Sequence, residues 1–88
     1  MAQKKLERFA AIKTFSNVLE YPEDMKGNWG NFFLNTNPVL LELACGRGEY
    51  TIGLAKLFTQ QNFIGIDVKG NRMYIGAKKC LAENIANA

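Results

Sequence analysis

Two short apolar runs, each followed at once by a segment of helical period, constrain this chain more than any other feature. The first is Val39-Leu40-Leu41-Glu42-Leu43, bounded by Pro38 and Gly46. Its length and near-continuous apolar character predict a parallel strand buried on both faces. After Gly48, the residues Tyr50, Leu54, Leu57 and Phe58 fall at i, i+4, i+7 and i+8. That is one face of a helix, and it is expected to be the buried one. Phe63-Ile64-Gly65-Ile66-Asp67 is the second run of strand length, and from Asn71 onward Met73, Ala77, Cys80, Leu81 and Ile85 share a helical stripe. Strand, helix, strand, helix, with parallel strands, is the repeating unit of a doubly wound α/β sheet. The expected fold class is therefore α/β, an incomplete Rossmann-like unit. Two parallel strands with one helix after each cannot cover both sheet faces, so the edge Val39–Leu43 should stand open.

Residues 1–38 read differently. Leu6, Phe9, Ala10 and Lys13 recur at helical spacing, which predicts a short amphipathic helix over residues 3–14, with Lys4, Lys5, Arg8 and Lys13 as its basic side. That side is either a solvated face or an arm touching a phosphate backbone. Residues 15–38 carry Pro22, Gly27, Gly30 and Pro38 among several Asn residues, a density of turn formers that predicts loop. Phe15, Tyr21, Trp29, Phe32 and Phe33 need burial, so this loop is expected to dock on the core. The domain division is accordingly an N-terminal helical and loop arm over 1–38 and half of a ligand-binding domain over 39–88.

Composition narrows the chemistry. The 88 residues include no histidine, and Cys45 and Cys80 lack CxxC or zinc-ligand spacing. No metal site is expected, and every His-dependent triad is excluded. No stretch approaches the roughly 20 apolar residues that cross a bilayer. The basic N-terminus lacks the apolar region of a secretory signal, so a cytoplasmic protein is expected. A net charge of +3 permits an anionic partner without requiring one.

The segment Leu41-Glu42-Leu43-Ala44-Cys45-Gly46-Arg47-Gly48 ends the first strand, where open α/β sheets bind ligands. A dinucleotide fingerprint fails, because Thr51 stands where the third glycine belongs, and no Walker A loop is present. What remains is an acid before the turn, a Gly-x-Gly loop, and a second acid, Asp67, about 20 residues on, where a carboxylate can accept ribose hydroxyls. Such a set suits a ligand with a ribose and a cationic tail but no phosphate, and S-adenosylmethionine has that chemistry. Glu42 has a second reading as a strand-end acid paired with a Lys or Arg, and Asp67 as the N-cap of the next helix.

The runs Leu41 to Thr51, Asn62 to Arg72 and Gly76-Ala77-Lys78-Lys79, together with Leu19-Glu20-Tyr21-Pro22 and Met25-Lys26-Gly27-Asn28-Trp29, resemble the N-terminal part of bacterial tRNA (guanine-N7-)-methyltransferases. The resemblance covers nearly the whole chain. It implies that Glu42, Ala44, Gly46, Gly48 and Asp67 form the S-adenosylmethionine site. Ala44 departs from the family, which usually has a glycine there. Later strands of the family, with another cofactor acid and an Asp-Pro segment placing the guanine, have no counterpart here. The chain is thus expected to be truncated, and to need a C-terminal segment or second polypeptide to complete the fold.

The implied reaction is methyl transfer from S-adenosylmethionine to guanine N7 of tRNA, which needs alignment more than a general base. No catalytic residue is assigned. Cys45 reads as a small side chain in a tight turn. Lys69, Arg72, Lys78 and Lys79 are either a solvated helix face or contacts to tRNA phosphates, with Lys69 and Arg72 the RNA-binding candidates. Two other functions stay open: a non-catalytic remnant that binds the cofactor, and a methyltransferase acting on another substrate.

Overall fold

A computed structural model describes residues 2–88, with side chains from Lys4 onward. The elements in chain order are α1 (Ala2–Ile12), α2 (Trp29–Phe33), β1 (Val39–Leu43), α3 (Glu49–Leu57), β2 (Asn62–Ile66) and α4 (Gly70–Ala82). The architecture is α/β. β1 and β2 pair in parallel, in register from Val39 opposite Asn62 to Leu43 opposite Ile66. β1 matches its expected bounds, whereas β2 starts one residue earlier and leaves Asp67 just beyond the strand end.

The register decides what each sheet face carries. Successive side chains alternate, so Leu40 and Glu42 share a face with Phe63 and Gly65. α3 lies on this side, placed through β2. Its buried residues are Thr51, Ile52 and Ala55. Of the expected stripe Leu54 is half-buried and the rest is turned outward: Tyr50 is 73% exposed, Leu57 76% and Phe58 50%. Small side chains at Thr51 and Ala55 let the helix approach the strand, and that close contact selects the neighbouring face. The opposite sheet face carries Val39, Leu41, Leu43 and Ile66, all exposed, so β1 is not buried on both faces as its apolar run predicts, because α3 packs on one side alone.

α1 starts one residue before the predicted helix, ends two residues before it, and packs along α4. The loop that follows is held there by the Asn17 side-chain amide, which donates to the Ala77 carbonyl (3.1 Å), and by Phe15 stacked on Tyr74. Within the predicted loop, α2 forms one short turn in which Trp29, Phe32 and Phe33 pack on one another. These rings are half-buried, but Tyr21 is 95% exposed, against the expectation that every loop aromatic docks. A left-handed φ of 45° at Tyr21, in a turn beside Pro22, points the ring outward.

The buried apolar core is small: Ile12, Ile52, Ala55, Phe63 and Cys80. The chain exposes 6417 Å², roughly 1,200 Å² more than a compact monomer of its mass would. A polar lock therefore matters. Asn62, fully buried at the start of β2, donates from its amide to Asn35 Oδ1 (2.7 Å), and that oxygen also accepts from the Asn37 N–H (3.0 Å). Asn62 N–H itself donates to the Pro38 carbonyl (2.8 Å), so the segment leading into β1 is tied to β2 before the strands pair. Asn62→Ala strands the Asn35 carboxamide and should cost about 1–3 kcal/mol. Urea denaturation of Asn62→Ala, Asn35→Ala and the double variant checks this, with a coupling of at least ~0.5 kcal/mol expected between the two sites.

Candidate functional site

Beyond Leu43 the chain makes a tight turn in which every second residue is left-handed. Ala44 has φ 56°, Gly46 58° and Gly48 77°. Two hydrogen bonds shape it. Cys45 N–H donates to the Ile66 carbonyl (3.0 Å), carrying the strand pairing past the end of β1, and Gly48 N–H donates to the Cys45 carbonyl (2.9 Å). Gly48 is then the N-cap of α3, its carbonyl accepting from Ile52 N–H (2.8 Å).

Asp67 brackets this turn. Its Oδ2 accepts from Gly46 N–H at 2.8 Å and its Oδ1 from Lys69 N–H at 2.9 Å. The second bond closes a local turn two residues on, and Lys69, not Asp67, is the N-cap of α4. The Lys69 and Gly46 amides, with a smaller contribution from the Arg72 charge, hold the Asp67 carboxyl below its ordinary pKa of 3.8. The group is ionised at neutral pH. A carboxylate has about four acceptor positions, so two bonds leave capacity for a ligand.

Glu42 stands on β1 beside Gly65 and accepts a short hydrogen bond from the Thr51 hydroxyl. It forms no ion pair among the described residues, so the strand-end pairing considered above is not what holds it. The thiol of Cys45 links the two acids electrostatically: burial raises its pKa first, then the nearby charges of Asp67 and Glu42. Both carboxylates thus flank one turn. Lys69 and Arg72 are exposed at the start of α4 next to Asp67.

Two glycines shape the site beyond the five candidates. A Cβ on Gly65 would lie 2.8 Å from Cys45 Sγ and 3.1 Å from Thr51 Oγ1, so its bareness admits both the thiol and the hydroxyl that holds Glu42. A Cβ on Gly76 would lie 2.1 Å from the Arg47 carbonyl oxygen, which is how closely α4 approaches the turn. Glycine in mid-strand and in mid-helix was the available signal. By contrast, a Cβ at Gly46 would meet nothing within 4 Å, so the turn is open to solvent there. A separate groove of about 280 Å³ lies between α3 and α4, lined by Arg47, Glu49, Ile52, Lys56, Ile75 and Lys79 among others. None of the five candidate cofactor residues lines it.

A family model described as "Putative methyltransferase" matches residues 36–88, from just before β1 to the last residue of the chain. The chain belongs to this methyltransferase family. Among curated proteins it is similar to the tRNA (guanine-N(7)-)-methyltransferase of Bacteroides fragilis, at 47% identity over 99% of this chain. It is 47% identical to that of Porphyromonas gingivalis over 86% of this chain, and 34% identical to that of Listeria monocytogenes over 98%. The chain spans 36–38% of the length of these relatives. No solved structure matches.

Ala44 sits in the left-handed region, where a Cβ is strained by about 1–2 kcal/mol. Ala44→Gly should therefore stabilise the chain by about 1 kcal/mol, read as a raised urea midpoint. The raised Cys45 pKa yields a second expectation. Iodoacetamide should alkylate Cys45 more slowly at pH 8 than an unhindered thiol, and Asp67→Asn should speed the reaction by removing one of the opposing charges. Peptide mass spectrometry resolves Cys45 from Cys80.

Proposed function

We propose that this chain supplies part of the S-adenosylmethionine site of a cytoplasmic enzyme that methylates guanine N7 in tRNA. In this reading residues 1–38 are the N-terminal arm and residues 39–88 are part of a Rossmann-like cofactor domain. The substrate comes from the printed names of the relatives, which are tRNA (guanine-N(7)-)-methyltransferases along nearly the whole of this chain. The observation that carries the cofactor site is the ionised Asp67 carboxylate, bound to Gly46 N–H where the turn has no side chain to obstruct approach.

The donor set suits the cofactor. Asp67 would accept from the ribose hydroxyls with its remaining lone pairs, and Glu42 would stand near the cationic amino-acid portion. Gly46 and Gly48 let the backbone come close, and Ala44 turns the chain out of β1. When bound, S-adenosylmethionine supplies an electrophilic methyl group. Guanine N7 has an available lone pair at neutral pH, so the protein's task is alignment, which accounts for a site built of acids and backbone without histidine. Lys69 and Arg72, exposed beside Asp67, would position tRNA phosphates at the same end of the sheet.

Titration calorimetry with S-adenosylmethionine tests the reading. Binding by the wild type and a loss of roughly ten- to a hundredfold in Asp67→Ala are expected, the range for losing hydrogen bonds to a charged group. The sign with pH follows from the depressed Asp67 pKa. The stabilising contribution of the carboxylate is fully present above pH 3.8 and is lost as pH falls through the lower folded value. A wild-type chain that shows no heat of binding would sink the cofactor assignment. Nucleoside mass spectrometry of tRNA incubated with the enzyme and S-adenosylmethionine should detect N7-methylguanosine; a different methylated nucleoside would replace the substrate assignment.

A further inference from the structure

The packing of α1 on α4 gathers basic side chains that are seventy residues apart in sequence. The Arg8 guanidinium sits 5.4 Å from the centre of the Tyr74 ring, and the Lys78 ammonium 5.6 Å from the same centre. Phe15 stacks on that ring at 5.8 Å and 22°, which fixes its plane. One turn of α1 earlier, the Lys5 ammonium lies 5.9 Å from the centre of the Phe9 ring.

These cations are held by rings and not by acids. The ion pairs among the described residues are Lys56–Glu83 and Lys79–Glu83, both on the flank of α4 that faces α3. Glu7 adjoins Arg8 in sequence, but consecutive helical positions do not face each other. Two like charges drawn to a single ring repel, and an aromatic face compensates each by only about 0.5–1 kcal/mol at an exposed site. The seam therefore keeps an uncompensated positive potential next to planar aromatic surface, a combination suited to a polyanion carrying flat bases.

We propose that the α1–α4 seam is a second RNA-contact surface, on which Arg8 and Lys78, gathered about Tyr74, engage backbone phosphates apart from the Asp67 turn. Lys78 lies eight residues along α4 from Gly70, about 12 Å of helix. Tyr74, about which the seam gathers, lies four residues from Gly70, about 6 Å of helix, so the seam extends the contact with the nucleic acid along α4 from the end of the sheet where Lys69 and Arg72 stand. The inference rests on the reading that the substrate is tRNA.

The test is fluorescence anisotropy of end-labelled, unmodified tRNA with the 88-residue chain over a series of KCl concentrations, without S-adenosylmethionine. Each lost phosphate contact lowers the slope of log K against log salt by about 0.7–0.9. Arg8→Gln/Lys78→Gln should therefore flatten the slope by about 1.4–1.8 and weaken binding by tenfold or more at ~0.1 M salt. Arg8→Lys, which keeps the charge, should retain the wild-type slope, and so should Lys56→Gln, which removes a charge already paired with Glu83. Circular dichroism checks that the double variant keeps its helices; if it does not, Lys78→Gln alone, at an exposed position, should flatten the slope by about 0.7–0.9. An unchanged slope with tRNA still bound overturns the seam and leaves the tRNA reading standing. A wild-type chain that fails to bind tRNA overturns both, as does one that binds anionic lipid vesicles but no RNA.

Discussion

The Asp67 carboxylate is the contact on which the rest of this structure turns. It lies one residue past the end of β2, yet its two oxygens reach the backbone on both sides of the strand tips, Gly46 in the turn after β1 and Lys69 at the start of α4. Left-handed backbone at three positions within five residues is not a conformation a chain holds for its own sake. A charged acceptor on the Gly46 amide compensates part of that strain, because hydrogen bonds to ionised groups are roughly twice as strong as neutral ones. The same bonds keep the carboxylate ionised. Shape and charge at the turn are one arrangement, and a change that protonates Asp67 loosens both.

The strands were legible because their signals are local. Val39–Leu43 is flanked by Pro38 and a glycine turn, so its bounds could be read directly, and Asp67 could be placed at the end of the next strand from its spacing alone. What escaped depends on contacts distant in sequence. The Asn35–Asn62 lock joins amides 27 residues apart, and a polar pair of that kind leaves no periodic trace. The buried face of α3 is not legible in the sequence, because hydrophobic spacing names a stripe without saying what it meets. Tyr50, Leu57 and Phe58 are regularly spaced and exposed, while Thr51 and Ala55, small enough for close packing, are buried. Glu42 and Asp67 were both legible as acids flanking the turn, but the partners that hold them, the Thr51 hydroxyl and two backbone amides, follow only from the fold.

Much of the exposed apolar surface falls on two faces. Val39, Leu41, Leu43 and Ile66 lie on the sheet face opposite α3, and Tyr50, Leu57 and Phe58 on the outer side of α3. A parallel sheet is normally covered on both faces. The excess of roughly 1,200 Å² is of the order of one side of a stable protein interface, about 800 Å² per partner. The folded chain therefore carries little hydrophobic stabilisation to spare. This raises the importance of the directional contacts, namely the asparagine lock, the Asp67 bracket and the Asn17 tie to α4, in selecting this arrangement over other compact ones.

Under the proposed function, the division of labour follows from the chemistry. Transfer of a methyl group to a nitrogen lone pair develops little charge that a general acid or base could relieve, so acceleration comes from holding donor and acceptor in line. Binding energy gathered away from the reacting atoms can be spent on that alignment. A turn fixed by Asp67 at one end of α4 and a basic, ring-lined seam about 6–12 Å along it would hold the small ligand and the polyanion on one rigid helix. Gly76 connects the two: on α4 it presses against the Arg47 carbonyl of the turn with no room for a side chain. Were nucleic acid to displace α4, this contact would pass the movement to the backbone proposed to cradle the methyl donor.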